Sequence, residues 1–352
     1  MIAKFLHSIA IGLIVGCLLL VALPALRSSN SWFTTPLENG VGDAPFSFNL
    51  AVRKAAPAVV NIYNHSVNGS TNVLSLGSGV IMNERGYIIT NRHVIQDSQQ
   101  ITVVLQDGRR YEALLVGADS LTDLAVLKID AGNLPVIPIN TTRTPHVGDV
   151  VLAIGNPYNL GQTVTQGIIS ATGRVGLSTS GRQAFLQTDA SINRGNSGGA
   201  LVNSLGELVG INTLTYDKVT HGGIPEGLGF AIPVELAIKI MDKLIHDGRV
   251  IRGYFGIQGK DLTPIRSSNA SLDRLQGIIV TNMTPDGPAA KAGFAINDLI
   301  IKVDNKPASS VLETIDQVAE IRPGTEILVV VLRDGRYINL TMTVGEFPEY
   351  SN

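Results

Sequence analysis

This sequence has a single cysteine and a net charge close to zero, and each of these features excludes a class of protein. Cys17 is the only cysteine among the 352 residues, so no disulfide forms within the chain. The formal net charge is -2. Such a chain shows no basic patch of the kind that DNA or RNA would need, so we expect no nucleic-acid partner. Spacings of the His-Glu-x-x-His type are missing as well, and we expect neither a metal site nor a cofactor.

The first 30 residues differ sharply from the rest of the chain. The run from Phe5 to Leu26 carries no fixed charge, and as a helix it would reach roughly 33 Å against a hydrocarbon core of about 30 Å. A cleaved signal peptide usually has a shorter apolar region and small residues at the cleavage site, where this chain has Pro24. We therefore expect residues 5–26 to form an uncleaved transmembrane helix. The positive-inside rule places residues 1–4 in the cytoplasm, and residues 27–46 read as a linker to the exported part.

Two folded bodies are expected after the linker, as the length and the 44% of hydrophobic residues suggest. From residue 47 to 250, short β-branched runs such as "GYIITNRHVI" and "LAVLKID" alternate with turn signals. About a dozen such runs at this spacing indicate antiparallel β-barrels or sandwiches. One helix closes this body, with Pro233 as its start signal and Gly248 at its end. Residues 251–347 contain further strands and the helix "SVLETIDQVAEI", which predicts a small α+β domain.

Ser197, in the stretch "INRGNSGGALV", is the first candidate for a catalytic residue. A glycine-rich turn before a strand is common, so this stretch alone does not decide between a nucleophile and a turn residue. A serine nucleophile needs a base, usually histidine, and a carboxylate that fixes the imidazole tautomer. His93 lies near the end of one predicted strand and Asp123 immediately precedes another. The order His93, Asp123, Ser197 on an all-β chain is that of chymotrypsin-type hydrolases.

Several motifs together resemble the HtrA (Deg) family of serine proteases, over roughly residues 47–345: "GSGVI", "GYIITNRHVI", "TDLAVLKI", "VLAIGNP", "TVTQGIIS", "LQTDASINRGNSGGAL" and "GLGFAIP". The resemblance implies a mainly β fold, a chymotrypsin-like double β-barrel followed by a PDZ domain. It also implies that Ser197 is the nucleophile, that His93 is the general base and then the acid, and that Asp123 orients His93. The amides of Gly195 and Ser197 would form the oxyanion hole, where the loss of one donor typically costs about 2.7–4 kcal/mol.

The second body resembles a PDZ domain, in which "GYFGI" matches the loop that binds a peptide carboxylate. PDZ domains add an extended C-terminal peptide to a sheet edge and capture its carboxylate with backbone donors. The resemblance places those donors at Tyr254, Phe255, Gly256 and Ile257. The helix residues Ile315 and Val318 would line the pocket for the last side chain of the peptide. Ordinary core positions are an equally good interpretation of these two residues.

Two further residues bear on how activity is controlled. Asn196 precedes the nucleophile, at a position where pancreatic relatives have an aspartate that pairs with a newly freed N-terminus. Asparagine forms no such ion pair, so control by a ligand is expected instead. Arg174 matches the arginine with which the family relays PDZ occupancy to the active site. Without the resemblance, Arg174 reads as a solvated loop charge.

The resemblance also implies a biological role. It predicts a homotrimeric serine endopeptidase that is anchored in the bacterial inner membrane and has its catalytic and PDZ domains in the periplasm. C-terminal peptides of misfolded outer-membrane proteins would activate it, and its substrate would be an anti-sigma factor in envelope stress signalling. A constitutive quality-control protease of the periplasm is the main alternative, and an inactive PDZ chaperone or scaffold is a weaker one.

Overall fold

The structure is a computed structural model, and it describes residues 11–12, 14–15, 47–68, 71–157, 160–175, 184–213, 227–262 and 276–348. The chain divides into two units, Met1–Phe48 and Asn49–Asn352. Of the transmembrane helix predicted over residues 5–26, only residues 11, 12, 14 and 15 are described, and these are helical and exposed. Within the ranges given above, no helix combines the length and the apolar composition that a membrane crossing requires.

The second unit begins with a short helix and a closed six-stranded barrel. Helix α1 spans Asn49–Ala55 and runs into a 3-10 turn at Ala56–Ala58. The barrel strands are β1 Val59–Asn68, β2 Thr71–Ile81, β3 Tyr87–Asn91, β4 Gln100–Val104, β5 Arg110–Asp119 and β6 Leu124–Lys128, with helix α2 Arg92–Ile95 after β3. They close in the order β1-β2-β3-β6-β5-β4. Their inward-facing Val, Ile and Leu side chains fill the barrel, as alternating strand patterns require.

A second closed barrel of six strands follows directly. Its strands are β7 Val150–Gly155, β8 Thr163–Arg174, β9 Phe185–Thr188, β10 Ala200–Asn203, β11 Leu208–Thr213 and β12 Gly229–Pro233. The order around this barrel is β10-β11-β12-β9-β8-β7. The prediction of a mainly β, double-barrel fold is therefore confirmed.

Helix α3, Val234–Asp247, ends the second barrel where the sequence predicts it. Pro233 is its N-cap, and Gly248 ends it in the left-handed conformation with φ 72°, which glycine adopts at little cost. One apolar face, which includes Ala237, Ile240 and Leu244, is buried. The charged face carries Lys239 and Lys243.

The C-terminal domain is a small α+β body. Its strands are β13 Gly253–Tyr254, β14 Ile257–Asp261, β15 Ile278–Met283, β16 Leu299–Val303, β17 Lys306–Pro307, β18 Glu326–Arg333, β19 Arg336–Thr343 and β20 Gly345–Glu346. Helices α4, Pro288–Lys291, and α5, Val311–Ala319, cover the sheet. Sequence reasoning predicts β15, β16, β18, β19 and α5. It misses α4, the edge strand β14 and the two-residue strands, which carry little apolar pattern.

Candidate active site

His93 lies on α2, a four-residue helix that leaves the end of β3. Buried Asn64 of β1 donates from Nδ2 to the carbonyl oxygens of Val94, at 3.2 Å, and Gln96, at 2.9 Å. These two bonds satisfy carbonyls at the end of a helix too short to satisfy them itself. They hold the segment that carries His93 against the first barrel.

Asp123 is bound closely to His93. One carboxylate oxygen lies 2.6 Å from His93 Nδ1, and the other accepts the His93 backbone amide at 3.0 Å. Thr213 of the second barrel donates to the same carboxylate at 3.4 Å. The backbone of Asp123 has φ 56°, a left-handed conformation that aspartate tolerates, and its carbonyl accepts from Asn91 Nδ2 and the Arg92 amide. The pair keeps the proton on Nδ1 and leaves Nε2 for an exchangeable partner.

Ser197 lies in the turn before β10, on the second barrel. The residue is 3% exposed. Its hydroxyl has no hydrogen-bond partner among the described residues. The structure therefore brings His93 and Asp123 together in a hydrogen-bonded pair, whereas the link between His93 and Ser197 is not made.

The backbone around Ser197 leaves two amides free. Three amides of residues 195–199 donate to backbone carbonyls at 2.9 Å: Asn196 to Asn193, Gly198 to Asn212 and Gly199 to Asn196. The amides of Gly195 and Ser197 donate to no described residue. These are the two donors that the family resemblance assigns to the oxyanion hole, and such donors must be free to bind a substrate oxygen.

The glycines of this turn are required by close packing. Gly195 has φ 99°, and a Cβ there would lie 2.3 Å from the Asn156 carbonyl oxygen. Gly198 has φ 81°, and a Cβ there would lie 2.2 Å from the Ser78 carbonyl oxygen. Any larger residue would displace the turn, since both conformations favour glycine.

Asn196 and Arg174, which the sequence analysis connects with the control of activity, are both among the described residues. Asn196 is 1% exposed and its side chain donates to the Ser191 carbonyl at 3.4 Å. Arg174 is exposed at the end of β8, and its Nε donates to Gln187 Oε1 at 3.0 Å. The loop beyond it, residues 176–183, lies outside the described residues. The relay role of Arg174 stays a prediction beside the solvated interpretation.

The predicted carboxylate loop Tyr254–Ile257 turns from β13 into β14. The Phe255 carbonyl accepts the Ala289 amide at 3.2 Å, and the Gly256 carbonyl accepts the Thr284 amide at 2.9 Å. In the described part of the chain, the amides of Phe255 and Gly256 have no acceptor. This loop thus offers unpaired donors, as capture of a carboxylate requires.

Strand β14, which follows this loop, lies against α5, since a Cβ on Gly259 would be 3.4 Å from Val311. Strand β14 ends the sheet order β14-β15-β16-β18-β19, so no described strand pairs with its outer edge, which is where an added strand would bind. Ile315 of α5 is half-buried. Val318 is 1% exposed and packs in the hydrophobic core of the domain, which is the alternative that the sequence leaves open for it. Contact of either residue with a peptide stays a prediction.

Three polar residues that serve this site are missed by sequence reasoning: Asn64, Ser78 and Thr213. Each acts through a hydrogen bond to a residue far away in sequence. The only sequence signal is the serine within "GSGVI", a motif that the family resemblance already contains.

Two family models match the chain, one for each body. A trypsin-like peptidase domain matches residues 77–211, and a PDZ domain matches residues 253–344. The first range contains His93, Asp123 and Ser197. The second contains the carboxylate loop and α5.

Curated proteins similar to this chain are serine endoproteases. The chain is 66% identical over 353 residues to serine endoprotease DegS of Escherichia coli (strain K12), and the match covers 99% of each. It is 51% identical to the DegS of Haemophilus influenzae, again over 99% of each. It is 43% identical over 271 residues to the periplasmic pH-dependent serine endoprotease DegQ of Escherichia coli (strain K12), over 76% of this chain and 59% of that protein.

The solved structures that are similar to this chain are also serine proteases. The serine endoprotease from Yersinia pestis is 61% identical, with a TM-score of 0.73 over 87% of this chain and 100% of that one. The HtrA-type protease AlgW, solved with a tripeptide, is 48% identical, with a TM-score of 0.79 over 86% of this chain and 98% of that one.

Proposed function

The chain belongs to the HtrA family of trypsin-like serine endoproteases with one PDZ domain, and from this premise we propose that it is a peptide-gated endopeptidase of the periplasm. In this proposal a transmembrane helix over residues 5–26 anchors it in the inner membrane. Peptides that end in a free carboxylate bind the PDZ domain and raise its activity. The observation that carries the proposal is the hydrogen-bonded His93–Asp123 pair, together with a buried Ser197 hydroxyl that has no partner among the described residues.

In this proposal each group takes the step that the mechanism of serine proteases assigns to it. Ser197 Oγ attacks the scissile carbonyl while His93 Nε2 takes its proton. Asp123 holds the Nδ1 proton and stabilises the imidazolium that forms. The amides of Gly195 and Ser197 then donate to the oxyanion of the tetrahedral intermediate. His93 finally returns the proton to the leaving amine, and water repeats the sequence to release the acyl group.

The missing link between His93 and Ser197 supports control by a ligand. Catalytic hydrogen bonds are often long without substrate, and here the Ser197 hydroxyl is buried and binds none of the residues that the structure describes. In our proposal this arrangement is the resting state, and peptide binding favours a state in which the link forms. A ligand shifts such an equilibrium only by its different affinity for the two states. A shift from about 1% to 99% active would need roughly 5.5 kcal/mol, so we expect one short peptide to activate each protomer only in part.

The most specific part of the proposal concerns the substrate and the oligomeric state. The high identity to DegS proteins along 99% of the chain supports a regulatory protease that cleaves an anti-sigma factor, activated by C-terminal peptides of outer-membrane proteins. A homotrimer would let peptide binding at one PDZ domain act on neighbouring active sites.

A constitutive quality-control protease is the second candidate. The likeness to a periplasmic protease of the DegQ type, at 43% identity, favours it. The two candidates differ in whether proteolysis depends on a peptide.

The test is to titrate the purified protein with a C-terminal peptide and with the same peptide amidated, while cleavage of an unstructured reporter is measured. We expect the free carboxylate to raise the rate and the amide to have little effect, because only the carboxylate binds the free amides of the loop. A variant cut after residue 252 should show a raised rate without peptide. Equal activation by both peptides, or a high rate unaffected by either, would favour the constitutive enzyme.

A further inference from the structure

Ser78 of β2 makes four hydrogen bonds outside the strand ladders of its own barrel, and three of them reach the second barrel. It is completely buried. Its amide donates to the Ser197 carbonyl at 2.9 Å, and its own carbonyl accepts from Thr90 Oγ1 at 2.7 Å. Its hydroxyl lies 2.6 Å from the Gly195 carbonyl and 3.1 Å from the Asn156 amide.

The direction of the Ser78 hydroxyl proton follows from its two neighbours. A serine hydroxyl has one proton to donate and lone pairs that accept. The Asn156 amide has only a proton to offer, so Ser78 Oγ accepts from it. The hydroxyl proton is then directed to the Gly195 carbonyl oxygen, which has no proton of its own.

This bond fixes the peptide plane that follows Gly195. A peptide unit is planar and trans, so its carbonyl and its amide point in opposite directions. The carbonyl of this unit is held by Ser78, and its amide, that of Asn196, donates to the Asn193 carbonyl at 2.9 Å. Both ends of the plane are therefore fixed.

Ser78 fixes the plane that follows Ser197 in the same way. Its amide binds the Ser197 carbonyl, and the amide at the other end of that plane, on Gly198, donates to the Asn212 carbonyl at 2.9 Å. The Ser197 amide lies in the peptide plane between these two planes, and the Gly195 amide lies in the plane directly before the first of them. Each free amide of the site therefore adjoins a plane that Ser78 holds.

We propose that Ser78 is a positioning residue for the oxyanion hole, through which the first barrel sets the direction of both oxyanion donors on the second. It touches no substrate and acts through the carbonyls of Gly195 and Ser197. The packing agrees, because a Cβ on Gly199 would lie 3.2 Å from Ser78 Cβ, which leaves little room for the turn to shift. The proposal rests on the proposed catalytic roles of Ser197 and of the two amides.

The test compares Ser78→Ala and Ser78→Cys with the parent protein at a saturating concentration of activating peptide. The alanine removes the hydroxyl donor but keeps the backbone bond, and the cysteine leaves a weak donor. Loss of a whole oxyanion donor lowers kcat by about 100- to 1,000-fold. Since Ser78→Ala would misdirect donors and not remove them, we expect kcat to fall by about 10- to 100-fold with KM nearly unchanged, and Ser78→Cys to lie in between.

A peptide boronate separates positioning from mere stability. Boron bonded to Ser197 becomes tetrahedral and places an oxygen where the oxyanion forms, so its affinity should fall by the same factor as kcat. The matched control is Thr188→Ala, which removes another fully buried hydroxyl, one that accepts from the Ala190 amide at 3.1 Å. It should lower the thermal midpoint and leave kcat and boronate affinity unchanged.

The outcomes distinguish this inference from the proposed function. Unchanged kcat and boronate affinity in Ser78→Ala would overturn the role of Ser78, and so would losses no larger than those in Thr188→Ala. If Ser78→Ala does not fold, the same comparison is made with Ser78→Cys. Hydrolysis that survives Ser197→Ala would instead overturn the proposed function.

Discussion

Replacing Arg252 with leucine would break a buried ion pair between the start of the PDZ domain and the first barrel. Arg252 donates from both terminal nitrogens to the two carboxylate oxygens of Asp119, each at 2.7 Å. The side chains are 16% and 6% exposed. Thr122 adds two donors to the same carboxylate. Asp119 lies four residues before Asp123 in sequence, so the pair joins the PDZ domain to the segment that leads to the active site.

The expected loss of stability is large for one ion pair, because both side chains are largely removed from water. Removing one partner of a buried pair leaves an uncompensated charge and typically costs about 3–5 kcal/mol. Because Thr122 still binds Asp119, we expect Arg252→Leu to cost about 3 kcal/mol, at the lower end of that range. With a urea dependence of about 3 kcal/mol per molar, the unfolding midpoint would fall by roughly 1 M.

The effect should also depend on pH in a defined direction. Burial raises the pKa of Asp119, but the hydrogen bonds and charge of Arg252, together with Thr122, outweigh it and hold that pKa below its usual range. A carboxyl whose pKa is lowered on folding contributes stability above its unfolded pKa and loses it as the pH falls through the folded value. The deficit of Arg252→Leu should therefore be complete at pH 7 and shrink below about pH 4.

Urea unfolding at several pH values measures both effects, and Glu320→Gln serves as the matched control. Glu320 pairs with Lys239 at 2.9 Å and Lys243 at 3.3 Å, but its side chain is 48% exposed. Exposed pairs contribute at most about 1 kcal/mol. The reasoning fails if Arg252→Leu costs no more than Glu320→Gln, or if its deficit persists undiminished in acid.

Two further predictions concern the turn and the membrane. Gly195→Ala should lower stability by more than the roughly 1–2 kcal/mol that a φ of 99° alone costs alanine, because the added Cβ would also lie 2.3 Å from the Asn156 carbonyl oxygen. It should lower kcat by about 100-fold as the oxyanion amide moves. Thermal unfolding and steady-state hydrolysis check both, and a variant with normal kcat would refute the placement of that donor. The full chain should keep its N-terminus and resist extraction from membranes by carbonate; N-terminal sequencing that begins after Ala25 would show a cleaved signal and a soluble enzyme.

Much of the architecture is readable from local sequence, because local physics determines it. β-branched runs between turn residues mark the strands of both barrels, and Pro233 and Gly248 delimit α3 as their backbone preferences require. The pairing of His93 with Asp123 follows from the chemistry that a serine nucleophile needs. These features depend on neighbours in the chain or on a small set of catalytic residue types.

The remaining features depend on contacts between distant segments. Ser78 binds Gly195 across 117 positions, and no local pattern separates it from any other buried serine. Strand β14 has the sequence Ile-Gln-Gly-Lys-Asp, so a single large apolar side chain leaves no apolar alternation from which to predict it. Val318 fits either a pocket or a core by its spacing, and only packing places it in the core. Tertiary contacts decide all three.

Covalent labelling with a fluorophosphonate tests the central claim most directly, because the probe loses fluoride only to an activated nucleophile. We predict a single adduct, located on Ser197 by peptide mass mapping, which forms faster when a free-carboxylate peptide is bound than with its amidated twin. Labelling should disappear in Ser197→Ala and slow strongly in Asp123→Ala, because the imidazole then loses its orientation. An adduct on another residue, or a labelling rate that is indifferent to both Asp123 and the peptide, would contradict the account.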